Sequence, residues 1–235
     1  DARRHPTLSG GAEDVLVLRP DVVVASTSGI PVPYDSILIG SGDREQPFDT
    51  DITNRFYMLK DEHLLTYRYT TALTESDLFD TTDNLVQQGD ADEKVAATTA
   101  MNDAKGWYIT LGTGEKVDGP ATTLSGATFF GTNTPVDVGS DSCVGNLGTA
   151  RTYAISYLSG GAVIHLDGNV GEPLSIEDRS QIIPGGGYPP APVALQVDVD
   201  GQPYQGVAFG PQIFQPSGAG FGRRFRQWWY QGTDN

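Results

Sequence analysis

The chain has 235 residues with 29 Gly and 15 Pro, and 38% of it is hydrophobic, which suits one domain fed by short strands rather than long helices. A formal charge of −15 repels phosphate backbones and argues against nucleic-acid binding. No run of about 18 apolar residues occurs, so no segment has the length of a membrane span.

In chain order, residues 1–14 read as a flexible polar lead-in. The opening DARRHPTLSGG lacks the apolar core of a secretory signal, so a signal for export would lie upstream of Asp1. Val15 to Leu18 and Asp21 to Ala25 are two short β-branched or apolar segments separated by Arg19-Pro20, and proline fits the start or edge of a strand. The stretch from Ile37 to Asp61 then sets a pattern: an apolar run closing on Gly40-Ser41-Gly42, a polar loop, and the strand-like Arg55-Phe56-Tyr57-Met58-Leu59. Two such runs joined by turn formers predict an antiparallel pair. Leu64 to Tyr69 reads as a further strand.

From about residue 73 to residue 105 the character changes. Glu93 to Ala104 is rich in helix formers, which predicts a partly helical insertion of about 30 residues, long for a loop between strands. Gly106 to Leu111 restarts strand structure. The Ile37 pattern then returns, with an apolar run ending at Gly131 and Arg151-Thr152-Tyr153-Ala154-Ile155 closing at Ser159-Gly160-Gly161. Val163 to Leu166 is predicted as the outer strand of that unit, and residues 168–187 as loop with a short apolar piece at Ser180 to Ile183. A third, differently looped copy runs through Gly210 to Arg226-Gln227-Trp228-Trp229-Tyr230.

Each copy has a proline-marked strand upstream: PDVVV at Pro20, GPATTL at Gly119 and PPAPVALQV at Pro189. Recurring units of about four strands are the signature of propeller blades, so residues 15–235 predict an all-β fold: part of a β-propeller with about three blade-like units.

Chemistry-bearing residues are sparse. Cys143 is the single cysteine and sits in a Gly/Ser/Asp loop, either as an ordinary loop residue or as half of a bridge to sequence outside this chain. Asp198-Val199-Asp200-Gly201 begins like a calcium loop, but Gln202-Pro203-Tyr204 supplies no further ligands; Asp200-Gly201 between apolar runs is a hairpin signal. Asp43, Asp49, Asp51 and Asn54 form a denser oxygen cluster and are the first candidates for calcium, although such residues often satisfy the turn's own backbone. His5, His63 and His165 lie far apart, and none has a partner at metal-ligand spacing. There is no G-x-S-x-G, H-E-x-x-H or P-loop motif. Phe56-Tyr57 and Trp228-Trp229 fall on predicted strands as packing residues. Arg44, Arg55, Arg151, Arg223, Arg224 and Arg226 flank the repeated strands, where they would pair with acidic loops of neighbouring blades or form a partner-facing rim.

Several stretches in order, GSGDREQPFDTDITNRFYMLKD, KGWYITLGTGEKV, GPATTLSGATFFGTNTP, CVGNLGTARTYAISYLSGG and GGYPPAPVALQV, make the chain from about Val15 to Tyr230 resemble the C-terminal domain of the PilY family. These are large assembly proteins and tip adhesins of bacterial type IV pili. The resemblance implies a modified β-propeller, secretion to the pilus tip or outer cell surface, and a non-catalytic role in pilus biogenesis, twitching motility and attachment. Implied partners are minor pilins, host or abiotic surfaces, and an upstream part of the same protein that completes the propeller. The family's calcium loop has no full counterpart here, and Ser41-Gly42-Asp43 stands where some members carry Arg-Gly-Asp. Two other function classes share the rhythm of these blades. One is a propeller dehydrogenase of the pyrroloquinoline quinone type, which would need a catalytic Asp and a cofactor-stacking Trp. The other is a carbohydrate-binding propeller, which would need an exposed Trp107 or Trp228.

Overall fold

In a computed structural model of the protein, the described residues are 21–25, 34–43, 45–62, 72–136, 145, 147–199 and 202–215. The first sheet is built from β1 (Asp21–Ala25), β2 (Tyr34–Gly40), β3 (Arg55–Asp61), β4 (Phe79–Asp80) and β5 (Gly106–Thr110), in the order β1-β2-β3-β5-β4. Two helices, α1 (Leu85–Gln88) and α2 (Ala91–Asp103), lie between β4 and β5. The second sheet contains β6 (Lys116–Val117), β7 (Thr122–Leu124), β8 (Ala127–Thr134), β9 (Thr149–Ser156) and β10 (Ser180–Ile183); β6 and β7 pair with different ends of β8. A third sheet of β11 (Val193–Val199), β12 (Gln202–Phe209) and β13 (Gln212–Phe214) follows. The fold is therefore all-β with a partly helical insertion, and none of the three sheets closes on itself.

The sequence repeat maps onto the sheets. The three proline-marked strands are β1, β7 and β11, and each pairs antiparallel with the apolar run that follows it, β2, β8 or β12. The aromatic runs after the loops are β3 and β9, each paired to the apolar run before it. A fourth antiparallel strand, β5 or β10, completes each of the first two units. The four-strand expectation thus describes their cores, with β4 and β6 added as fifth strands. The third sheet has three strands among the described residues, and the predicted Arg226–Tyr230 strand lies outside them, as do Leu64–Tyr69 and the lead-in. Val199 pairs with Gln202, so the hairpin expected at Asp200-Gly201 is bracketed by its own register.

One strand was misplaced. Val163 to Leu166 is irregular, and β10, predicted as loop, runs beside β9 from Ser180↔Tyr153 to Ile183↔Ala150. Ile155 meets Ala162 in a single bridge. Past it the chain turns away, and Leu166 is buried among Phe129, Ala154 and Val207. Burying that leucine between two sheets competes with ladder pairing at an edge, and here the burial wins.

Strand alternation explains how the sheets stack. On the first sheet Leu38, Phe56, Met58, Trp107 and Ile109 face one cluster with Phe130, Tyr153 and Ile155 of the second sheet. Ile37, Ile39, Tyr57 and Leu59 point to the opposite face, where Leu78 covers them. The second sheet likewise turns Phe129 and Ala154 toward Val207 and Phe214 of the third. With period-2 side chains, each central strand feeds two cores, so the three sheets stack face to face in chain order.

The glycines that close the apolar runs mark where neighbouring units come closest. A Cβ on Gly40 would overlap the Val117 side chain of β6. On Gly131 it would stand 2.9 Å from both Phe209 Cζ and Pro189 Cγ of the third unit. At Gly210, the corresponding glycine of the last copy, nothing lies within 4 Å.

The insertion is tied down rather than draped over the surface. Asp90 caps α2, accepting from the Asp92 and Glu93 amides, while Glu93 reaches back to the Asp90 amide. At the other end the Lys60 ammonium donates to the carbonyls of Met101, Asn102 and Ala104 at 3.1, 2.9 and 2.7 Å. A cation there satisfies orphan carbonyls and opposes the negative end of the helix dipole. The Gln87 amide then makes two bonds to the Ala162 backbone, each 3.0 Å, and the Thr81 hydroxyl donates to Ser159 O at 2.9 Å. These contacts join the insertion to the second sheet.

Candidate functional site

In the oxygen cluster predicted for calcium, one oxygen each of Asp43 and Asp49 serves the loop's own backbone. Asp43 Oδ1 accepts from the Glu45 amide at 2.8 Å, and Asp49 Oδ1 accepts from the Asp51 amide at 2.9 Å. Asp51 itself is exposed. Asn54 is buried, accepts from Ser41 Oγ at 3.2 Å and donates to Glu115 O at 2.8 Å. The Lys116 ammonium reaches into the same loop and donates to the Asp49 carbonyl. Burial lowers its pKa, and the Asp49 and Asp43 charges oppose that shift. A protein cation thus stands beside these carboxylates, and Asp43, Asp49 and Asp51 do not converge on one point. Asp198 lies exposed on β11, and Asp200 is outside the described residues, as are Cys143, His5, His63, Arg44, Arg223, Arg224, Arg226 and Trp228.

Behind that loop the first two sheets share a buried polar seam. Glu115 Oε1 accepts from Thr132 Oγ1 at 2.5 Å and from the Tyr153 hydroxyl at 2.9 Å, and Oε2 accepts from the Gly112 amide at 3.0 Å. Burial, followed by the Glu115 charge, pushes the Tyr153 phenol upward. A buried carboxylate with three donors is a structural tie.

Arg55 takes a structural role, but its acidic partner belongs to its own unit rather than to a neighbouring one. Its guanidinium lies 3.2 Å from Glu75 Oε1 and 5.4 Å from the Tyr108 ring centroid, and Tyr57 OH donates to the same Glu75 oxygen at 2.9 Å. Trp107, weighed above as a sugar platform, is 0% exposed and donates its indole N–H to Tyr157 O at 3.2 Å, so it has no face to offer a ligand.

The Tyr57 phenol is pushed up to about 12, first by burial and then by its bond to Glu75 and that group's charge. An unfolded phenol ionises near pH 10. The folded state therefore holds the proton more tightly. The stability this contributes is complete below about pH 10 and is lost as pH rises through about 12, a loss of roughly 2–3 kcal/mol. Urea midpoints measured between pH 9 and pH 12 should fall less steeply for Tyr57→Phe than for the native chain. Equal slopes would show that Tyr57 does not drive the alkaline limb.

A constellation not anticipated from the sequence lies at the second sheet's irregular connection. His165 Nδ1 is 3.3 Å from Asp178 Oδ1, and ligand atoms of His165, Asp167 and Asp178 all lie within 4.8 Å of one another. Asp178 is 2% exposed and sits in the turn Glu177–Arg179 just before β10. Its other oxygen, Oδ2, accepts from the Ser175 amide at 2.8 Å, which fixes the carboxylate's direction. Arg179 locks the same turn by donating to the carbonyls of Thr81 and Thr82, each at 2.7 Å. Asp167 is held by the Asn169 amide at 2.8 Å, the first cause of its lowered pKa. His165-Leu166-Asp167 has the spacing that puts two side chains on one side of an extended segment. Asp178 joins them only because the chain bends back, and sequence spacing gave no hint of it.

The architecture defines the class: an all-β protein of stacked, mainly antiparallel sheets carrying a clamped, partly helical insertion. It has the fold of the crystal structure of the Pseudomonas aeruginosa PilY1 C-terminal domain, with a TM-score of 0.53 and 14% sequence identity over 84% of this chain. The match spans 43% of that domain. No protein-family model and no curated protein matches the sequence. No helix among the described residues is long and apolar enough to cross a membrane.

Proposed function

We propose that this chain is part of a type IV pilus biogenesis factor and tip-associated adhesin, acting by presenting surface rather than by catalysis. The observation that carries this reading is the fold likeness to the PilY1 C-terminal domain over 84% of the chain. The ordered motifs from Val15 to Tyr230 support it independently of the coordinates. Three buried polar groups, Glu115, Asn54 and Lys60, are each satisfied by neighbours, as structural groups are. On this reading the protein works outside the cell, at the pilus tip or outer surface of a bacterium. Its loops and insertion meet minor pilins and host or abiotic surfaces, and an upstream part of the same protein supplies further blades.

The test is an in-frame deletion of residues 15–235 in the bacterium that encodes them. Loss of surface pili, twitching or attachment is the expected result. Normal piliation and adhesion, with the truncated protein still exported, would overturn the assembly role.

A further inference from the structure

We infer that His165, Asp167 and Asp178 form a binding site for a divalent transition-metal cation, with Zn2+ as the representative ion. This inference is independent of the pilus reading.

A cluster of acidic groups is commonplace, but this one contains buried polar atoms that make no hydrogen bond. Asp178 is almost completely buried, and its Oδ1 makes no hydrogen bond. His165 Nδ1, facing it at 3.3 Å, makes none either, because the approach is close enough for charge attraction but misaligned for a hydrogen bond. A buried carboxylate oxygen without a hydrogen-bond donor carries the desolvation cost of an unsatisfied group. Two such atoms aimed at one another's neighbourhood are what a shared cation would satisfy. The distance fits: ligands about 2.0–2.1 Å from a tetrahedral ion stand roughly 3.3–3.4 Å apart. The exposed Asp167 provides the third donor from the solvent side, which leaves a fourth position open to water or a partner's side chain.

The donor set decides the metal class. Calcium and magnesium are held by oxygen, with six or more ligands for calcium, whereas an imidazole nitrogen with two carboxylates suits zinc and its first-row neighbours. The outer contacts expected of a real site are also present. Ser175 orients Asp178 through Oδ2, leaving Oδ1 free, and Asn169 orients Asp167 through its backbone and side-chain N–H groups. Arg179, one residue on, anchors the turn to Thr81 and Thr82, so the ligands stand on a fixed frame. A bound ion would therefore pin the 165–178 connection to the insertion.

The experiment is calorimetric titration of the chelator-stripped full chain with ZnCl2 and, separately, CaCl2. Zn2+ is expected to bind at one equivalent. The Kd should weaken at least about tenfold in Asp167→Asn and in His165→Gln, with Ca2+ binding at this site much weaker than Zn2+. Asp167 is exposed, so its variant folds whatever becomes of the buried ligands, and circular dichroism on both variants checks this. No stoichiometric Zn2+ binding, binding unchanged in Asp167→Asn, or Ca2+ bound more tightly than Zn2+ with the same sensitivity would each overturn the inference.

Discussion

Replacing Gly106 with alanine should remove roughly 3 kcal/mol or more of folding stability, as expected where a new side chain clashes with fixed backbone. Gly106 opens β5 with φ +152°, a region that L side chains rarely adopt. A Cβ there would overlap the Met58 carbonyl oxygen on the neighbouring strand. That oxygen belongs to the β3–β5 ladder, in which Leu59 pairs with Gly106 and Met58 with Trp107, so it cannot retreat without opening the sheet. Lys60 N, which donates to Lys105 O at 2.9 Å, would be disturbed as well. Urea denaturation of Gly106→Ala checks this. A loss below about 0.5 kcal/mol, the range of an unremarkable surface change, would mean that the strand does not approach so closely.

Phe130→Ala should be comparably damaging, at about 3–5 kcal/mol. Phe130 is fully buried and stacks on Phe56 with ring centroids 3.8 Å apart and planes at 5°, and on Tyr153 at 4.6 Å and 9°. Phe56 belongs to the first sheet, Phe130 and Tyr153 to the second, so these rings are the centre of the contact between sheets. A near-parallel pair gains less from ring quadrupoles than a tilted one, so burial and dispersion supply most of the stabilisation. Combining Phe130→Ala with Phe56→Ala should lose less than the sum of the two, with coupling of about 0.5–3 kcal/mol. Strict additivity would place the two rings in separate cores.

Much of the fold is readable from the residues because the repeat forces it. Each unit begins with a proline-marked strand, and proline's missing N–H suits a strand beginning beside an edge. The apolar runs close on Gly40 and Gly131, where a neighbouring unit leaves no room for a side chain. The α2 helix was visible in its composition, and its Asp90–Glu93 capping box could also have been read. What could not be read was long-range. Nothing local says that Lys60 will cap a helix ending more than forty residues later, or that Ser180–Ile183 rather than Val163–Leu166 will take the place beside β9.

The candidate site shows the same division. Asp43 and Asp49 stand out in the sequence for density of oxygen, and one oxygen of each closes an Asx turn on the loop's own amides, as Asp and Asn in loops commonly do. Sequence spacing offers His165 no neighbour at metal-ligand distance. Its nearest carboxylate, Asp178, arrives from the other end of an irregular connection.

Native-state hydrogen exchange tests most directly whether the sheets form one stacked body. The ladder amides of β3, between Phe56 and Leu59, and those of β8, between Phe129 and Thr132, should open with the same free energy, within about 0.5 kcal/mol, and Phe130→Ala should lower both together. If β8 opens several kcal/mol more easily than β3, or if Phe130→Ala lowers β8 alone, the sheets are separate units and the stacked architecture is wrong.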